Sequence, residues 1–119
     1  MNTRFAAAFI LLLLSASWVS AQVVRGNPAA GRVVYAQHCV RCHGEQLDGN
    51  GPDAPYLIVH PADFRSQRSR SKTDWELMVT VANGALFTPM HGFRGKLNDE
   101  QMLDVLSYIR SVVPFDAVS

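Results

Sequence analysis

The chain has 119 residues, of which 48% are hydrophobic and 18% are charged. This length allows one small domain, and the composition excludes a disordered chain. The formal net charge of +1 excludes the strongly basic balance of a typical nucleic-acid-binding domain. Two cysteines are too few for a disulfide framework. Since a single core of this size contributes only about 3–5 kcal/mol, we expect a further stabilising element.

The beginning of the chain predicts an export signal. Arg4 is followed by an apolar run over residues 5–14, and small residues lead up to Ala21. This is the pattern of a cleaved secretory signal peptide. The run is shorter than the roughly 20 residues of a spanning helix, although an uncleaved anchor stays open as an alternative. We predict a signal peptide at 1–21 and a mature periplasmic domain at 22–119, without stable membrane insertion.

A first helix is predicted directly before the two cysteines. Asn27 is a favoured N-cap residue, and Pro28 is a favoured first residue of a helix. Gly31 and Tyr35 lie one turn apart and therefore on the same face. The helix leads into the sequence Cys-Val-Arg-Cys-His at residues 39–43.

The pattern C-x-x-C-H at residues 39–43 is the attachment signature of haem c. Two thiols at this spacing can bond one porphyrin, and the following histidine can bind its iron. The alternatives are a zinc half-site and a thiol redox pair. Zinc prefers four ligands, and the sequence contains no second cysteine pair. We therefore predict one haem c that is attached through Cys39 and Cys42 and bound by His43.

The next stretch of the chain predicts loops. Residues 44–52 contain three glycines, an aspartate and a proline, which is typical of a loop. Residues 64–72 carry four positive charges and no negative charge. This basic segment is either a solvated loop or a docking patch for an acidic partner.

Two further helices are predicted from their capping signals. A Thr-x-x-Glu capping box begins a helix at Thr73, and Gly84 ends it. An Asn-x-x-Gln box begins the last helix at Asn98. Apolar residues at three- and four-residue spacing make this last helix amphipathic, and Pro114 ends it.

With these landmarks the chain resembles the class I-type monohaem cytochromes c over roughly residues 27–113. The resemblance implies an all-α fold, with three to four helices wrapped around one covalently bound haem c. It also implies that the first helix crosses the last one at Gly31 and Tyr35. A Pro-x-Leu segment that begins at Pro55 matches the family segment whose proline carbonyl accepts the second ring N–H of the haem histidine, here His43.

The second axial ligand decides whether the iron carries electrons or binds small molecules. The candidates, in chain order, are His38, His60, Met78, Met90, His91 and Met102. Met102 is better explained as the hydrophobic staple that packs with Leu97 at the start of the last helix. Met78 lies among the apolar residues of a helix, where a methionine usually fills the core. The family carries its methionine ligand in the loop before the last helix, and this place matches Met90. The residue that follows is usually proline, whereas here it is His91, which could compete for the iron.

These features predict a one-electron carrier that docks transiently with redox partner proteins, with no nucleic-acid partner. No catalytic constellation accompanies the haem motif in the sequence, so we do not expect an enzyme. Two alternatives stay open. One is a haem subunit of a dehydrogenase or oxidoreductase complex, and the other is a haem sensor or peroxidase with an open sixth site.

Overall fold

Five α-helices and a 3₁₀ turn, with no β-strand, make up the part of the chain that this computed structural model describes, residues 25–116. This confirms the predicted all-α class. Three of the helices span ten residues or more, and two are single turns. In chain order the elements are α1 (Pro28–His38), α2 (Val40–His43), the 3₁₀ turn (Ala54–Tyr56), α3 (Gln67–Arg70), α4 (Asp74–Asn83) and α5 (Asp99–Val112).

The predicted signal peptide at residues 1–21 lies outside the described residues. Among the helices within the described range, none combines the length and the apolar character that crossing a membrane requires.

The predicted capping residues begin the three longer helices. The Asn27 side chain accepts hydrogen bonds from two backbone N–H groups in the first turn of α1. Thr73 and Glu76 form a reciprocal capping box at the start of α4. Asn98 and Gln101 form the same arrangement at the start of α5. These side chains satisfy N–H donors that have no partner inside a helix, which is why local sequence determines where each helix begins.

α1 packs across α5, and this crossing joins the two ends of the domain. Gly31 is buried there, and a Cβ at this position would overlap the backbone of Asp104. The Asp104 carboxylate accepts a hydrogen bond of 2.6 Å from the Asn27 N–H. The buried Tyr35 ring lies 5.3 Å from the Tyr108 ring, between centroids. The expected crossing of the first and last helices at Gly31 and Tyr35 is confirmed.

An apolar core lies beneath this crossing and extends to the loops on either side of α4. Met102 is buried in it, as expected of a methionine within an amphipathic helix. The ten buried residues of the cluster are Val34, Tyr35, Leu47, Ala82, Phe93, Leu97, Met102, Val105, Ile109 and Val113.

The basic segment at residues 64–72 is partly helical, since it contains the single turn α3, which the sequence did not predict. Two of its four cations face carboxylates. Arg65 Nε lies 3.5 Å from Asp63 Oδ1, and Arg70 Nη2 lies 3.4 Å from Asp116 Oδ2. Arg65 and Arg70 are thus paired within the protein, whereas Arg68 and Lys72 form no ion pair within residues 25–116.

Candidate haem site

The C-x-x-C-H motif lies at the junction of α1 and α2. Cys39 is the C-cap of α1, and Cys42 and His43 belong to α2. The Cys39 carbonyl accepts hydrogen bonds from the N–H groups of Cys42 at 3.2 Å and of His43 at 2.9 Å. Residues three and four positions apart in a helical turn lie on one face. The turn therefore brings the two thiols and the imidazole to the same side.

The side chains of Cys39 and Cys42 are half-buried and are not joined in a disulfide. Burial, with a smaller contribution from Cys42, raises the pKa of the Cys39 thiol to about 12. A reactive dithiol pair requires a lowered thiol pKa, so this shift argues against the redox-pair alternative. Within residues 25–116, no group of three or more His, Cys, Asp or Glu side chains is placed to hold a metal ion.

The His43 ring is held from two directions. Its Nδ1 lies 3.2 Å from the carbonyl oxygen of Ala62. The Phe64 ring stacks on it with 4.6 Å between centroids and an angle of 21° between planes. When Nδ1–H donates to the Ala62 carbonyl, Nε2 carries the lone pair that can bind iron. Burial lowers the pKa of His43, which favours this neutral, ligating form of the ring.

The structure corrects the expected hydrogen-bond acceptor of His43. We expected the carbonyl of Pro55, but the carbonyl that the ring contacts belongs to Ala62. Pro55 is exposed within the 3₁₀ turn Ala54–Tyr56. The need for a carbonyl partner was therefore predicted correctly, while the residue that supplies it was not.

The glycine-rich loop positions the segment that contacts His43. The backbone carbonyl of the buried Leu47 accepts a hydrogen bond of 2.9 Å from the Phe64 N–H. Gly49 lies so close to the same segment that a Cβ there would be 2.5 Å from the Pro61 carbonyl oxygen. No sequence pattern indicated a role at the site for Ala62 or Phe64. An aromatic residue three positions after Pro61 is the signal that could have drawn attention to them.

Phe64→Ala is expected to lower the free energy of unfolding by about 2–3 kcal/mol, because it removes the ring that packs on His43 and on the core. Phe64→Leu keeps most of the apolar volume and is expected to cost less than about 1.5 kcal/mol. Denaturant unfolding of the haem-loaded protein measures both values. An unchanged transition midpoint in Phe64→Ala would contradict the packing role of the ring.

Met90 lies in the segment between α4 and α5 and is half-buried against the core. Both the backbone N–H and the backbone carbonyl of Met90 form hydrogen bonds. The Met90 N–H donates to Thr88 Oγ1 at 3.1 Å, and the Met90 carbonyl accepts from the Ala85 N–H at 2.9 Å. An isolated antiparallel bridge also joins Gly84 to His91. The loop therefore presents the Met90 side chain from a well-defined backbone.

The other candidate ligands differ in their exposure. Met78 lies on α4 and is half-buried against the core, as Met90 is. Burial therefore does not distinguish these two methionines as candidate ligands. His91 is exposed, and its ring lies 4.6 Å from that of Phe93, between centroids. His38 and His60 are also exposed.

Half-buried side chains around the core make the site suitable for a haem. They come from the attachment motif, from the segment that contacts His43, from α4 and α5, and from the loop that holds Met90. These side chains give an apolar surface that the protein covers only in part. A haem, as a large flat cofactor, requires such a surface. The seven residues are Cys39, Val40, Phe64, Met78, Val81, Met90 and Tyr108.

Known proteins resemble the chain over most of the described residues. A family model described as cytochrome c matches residues 28–113. Cytochrome c6 of Synechocystis sp. is 30% identical over 81 residues, which covers 68% of this chain and 62% of the relative. A chain of the Kuenenia stuttgartiensis reducing HAO-like protein complex shares the fold with a TM-score of 0.60 and 24% identity. That alignment covers 70% of this chain and 41% of the other, so the chain spans less than two thirds of either relative.

Proposed function

We propose that this chain, which belongs to the cytochrome c family and carries one haem c bound through Cys39 and Cys42, is a one-electron carrier in which His43 and Met90 would hold the haem iron. The haem iron supplies the one-electron redox centre when it is bound. The observation that carries the proposal is the geometry at His43, whose Nδ1 and ring face are both occupied by protein. Nε2 is then the nitrogen left to bind iron.

Each ligand has a separate role in the proposed function. The Ala62 carbonyl orients His43 and makes its ring a better donor. The Met90 thioether is a soft ligand that favours the reduced state and raises the reduction potential. If His43 and Met90 both hold the iron, no position would be left open for a substrate, and this supports a carrier over an enzyme.

The location of the protein follows from its first residues. We propose that residues 1–21 direct export, that the mature chain begins at residue 22, and that the carrier works in the periplasm. The first described helix, α1, begins at Pro28, a few residues after the proposed cleavage point. N-terminal sequencing of the purified native protein tests this boundary directly.

Met90→Ala tests the proposed ligation by spectroscopy. In the oxidised protein, bonding of methionine to ferric iron gives a weak long-wavelength absorption band that marks this family. Met90→Ala is expected to abolish the band and to lower the reduction potential, because the thioether favours ferrous iron. The reduced variant is also expected to bind carbon monoxide, since its sixth position is open.

Two further variants serve as controls for this test. Met78→Leu conserves volume within α4 and is expected to keep the band, as is His91→Ala in the loop. Persistence of the band in Met90→Ala, or its loss in Met78→Leu, would exclude Met90 as the ligand. Ready binding of carbon monoxide by the unmodified ferrous protein would instead point to an open sixth site and a sensor or enzyme.

A further inference from the structure

A short loop lies against the backbone of the haem attachment motif. We call residues 49–53 the covering loop, because its N–H groups donate to carbonyls that the single turn α2 leaves without partners. The Cys42 carbonyl accepts from the Gly51 N–H at 3.0 Å, and the Arg41 carbonyl accepts from the Asp53 N–H at 2.9 Å. A Cβ at Gly51 would overlap the Arg41 carbonyl, so the approach is close. Backbone hydrogen bonds therefore hold the covering loop against the motif.

An ion pair joins the same two segments through their side chains. Arg41 Nε donates to Asp53 Oδ2 at 2.8 Å, and Arg41 Nη2 donates to Asp53 Oδ1 at 2.6 Å. Two parallel bonds of this kind form a bidentate pair, which fixes the guanidinium relative to the carboxylate. Neither side chain forms an ion pair with any other group within residues 25–116. The positive charge of Arg41 is therefore matched by one carboxylate.

Folding stability does not explain this ion pair. The Arg41 and Asp53 side chains are 74% and 35% exposed, and ion pairs in contact with solvent contribute little to stability. The backbone hydrogen bonds already hold the covering loop in place. The pair differs from the other ion pairs of residues 25–116 in its position, since Arg41 lies between the two cysteines that carry the haem.

A charge in this position acts on the redox equilibrium of the iron. Oxidised iron carries one more positive charge than reduced iron, so a nearby cation disfavours the oxidised state. Arg41 alone would therefore raise the reduction potential. The Asp53 carboxylate has the opposite effect, and the bidentate geometry keeps it next to the guanidinium.

Building on the electron-carrier function proposed above, we propose that Asp53 sets the reduction potential of the haem by cancelling the charge of Arg41. Together the two side chains add no net charge beside the attachment motif, whereas either side chain alone adds one. Asp53 acts through Arg41 and is in this sense a positioning residue. Its carboxylate keeps the potential below the value that Arg41 alone would give.

The test is a spectroelectrochemical titration of the haem-loaded protein at low ionic strength. Asp53→Asn keeps the backbone N–H and is expected to raise the potential, because Arg41 is left uncompensated. Arg41→Gln is expected to lower the potential, because the carboxylate is left alone. Each variant is expected to change the ratio of reduced to oxidised protein at a fixed applied potential by about twofold or more. The double variant Arg41→Gln, Asp53→Asn is expected to return close to the unmodified protein.

Two further variants serve as controls. Arg41→Lys keeps the positive charge but loses the bidentate geometry, and is expected to have a potential close to that of the unmodified protein. Asp116→Asn removes the carboxylate of another ion pair, in which Arg70 Nη2 lies 3.4 Å from Asp116 Oδ2, and is expected to leave the potential unchanged. High salt is expected to shrink the shifts of both single variants, because it screens exposed charges.

The direction of the shifts distinguishes charge from structure. Asp53→Asn and Arg41→Gln break the same ion pair, so a purely structural role would move the potential in the same direction in both variants. Shifts in the same direction, no shift in either variant, or an equal shift in Asp116→Asn would overturn the proposal. A missing methionine band in the unmodified protein would exclude Met90 as the ligand, but opposite shifts in the two single variants would still support this proposal. The two proposals therefore fail separately.

Discussion

The double variant Cys39→Ala, Cys42→Ala is expected to be largely unfolded, without a cooperative thermal transition. Only thirteen hydrophobic residues are buried in the described domain, and ten of them form one cluster. A core of this size contributes about 3–5 kcal/mol at most, which leaves little margin once a structural element is lost. Without haem, the half-buried side chains around the core would expose apolar surface that the cofactor otherwise covers.

Far-UV circular dichroism during heating, together with the mass of the purified chain, measures this outcome. The mass reports whether haem is attached, and the melting curve reports whether the chain folds. Val33→Ala is the matched control, since Val33 is exposed on α1 close to the motif, and this variant is expected to retain haem and melt cooperatively. A compact haem-free double variant with a cooperative transition would show that the helices fold without the cofactor.

Gly31→Ala is expected to destabilise the haem-loaded protein by about 3 kcal/mol, which lowers the melting temperature by roughly 12–24 °C in a domain of this size. A Cβ at Gly31 overlaps the backbone of Asp104, so α1 and α5 must move apart. Alanine within a helix normally stabilises it by about 0.5–1 kcal/mol relative to glycine. A loss of stability in Gly31→Ala therefore indicates that the close crossing of the helices dominates. A gain in stability indicates that helix propensity dominates.

Thermal unfolding of the haem-loaded protein measures this effect. Ala36→Leu enlarges an exposed side chain on the same helix and is expected to change stability by less than about 0.5 kcal/mol. If Gly31→Ala melts at or above the temperature of the unmodified protein, the close crossing of α1 and α5 is wrong.

The features that were predicted correctly are those determined by residues close to one another in the sequence. Capping at Thr73 and Asn98 depends on side chains three positions apart, so the printed sequence contains the whole signal. The attachment motif at residues 39–43 is equally local. The Gly31 crossing was predicted from the family resemblance, and the structure provides its physical reason in the approach of α5.

The features that sequence did not predict depend on how distant loops meet. Ala62 lies 19 residues from His43, and its carbonyl reaches the ring because the loop around Leu47 holds that segment. No spacing rule identifies such a partner. The turn at Phe87 was missed for a different reason, since a phenylalanine argues against the left-handed conformation that it adopts.

The hydrogen bond between the Asn27 N–H and Asp104 also bears on the order in which the protein matures, because it joins residues 77 positions apart. Contacts between distant parts of a chain form slowly, since a long loop must close first. During synthesis α5 emerges last, so the crossing with α1 cannot form until nearly the whole domain is available. Before this crossing forms, the chain around Cys39 and Cys42 would be open, and both thiols would be accessible to a haem.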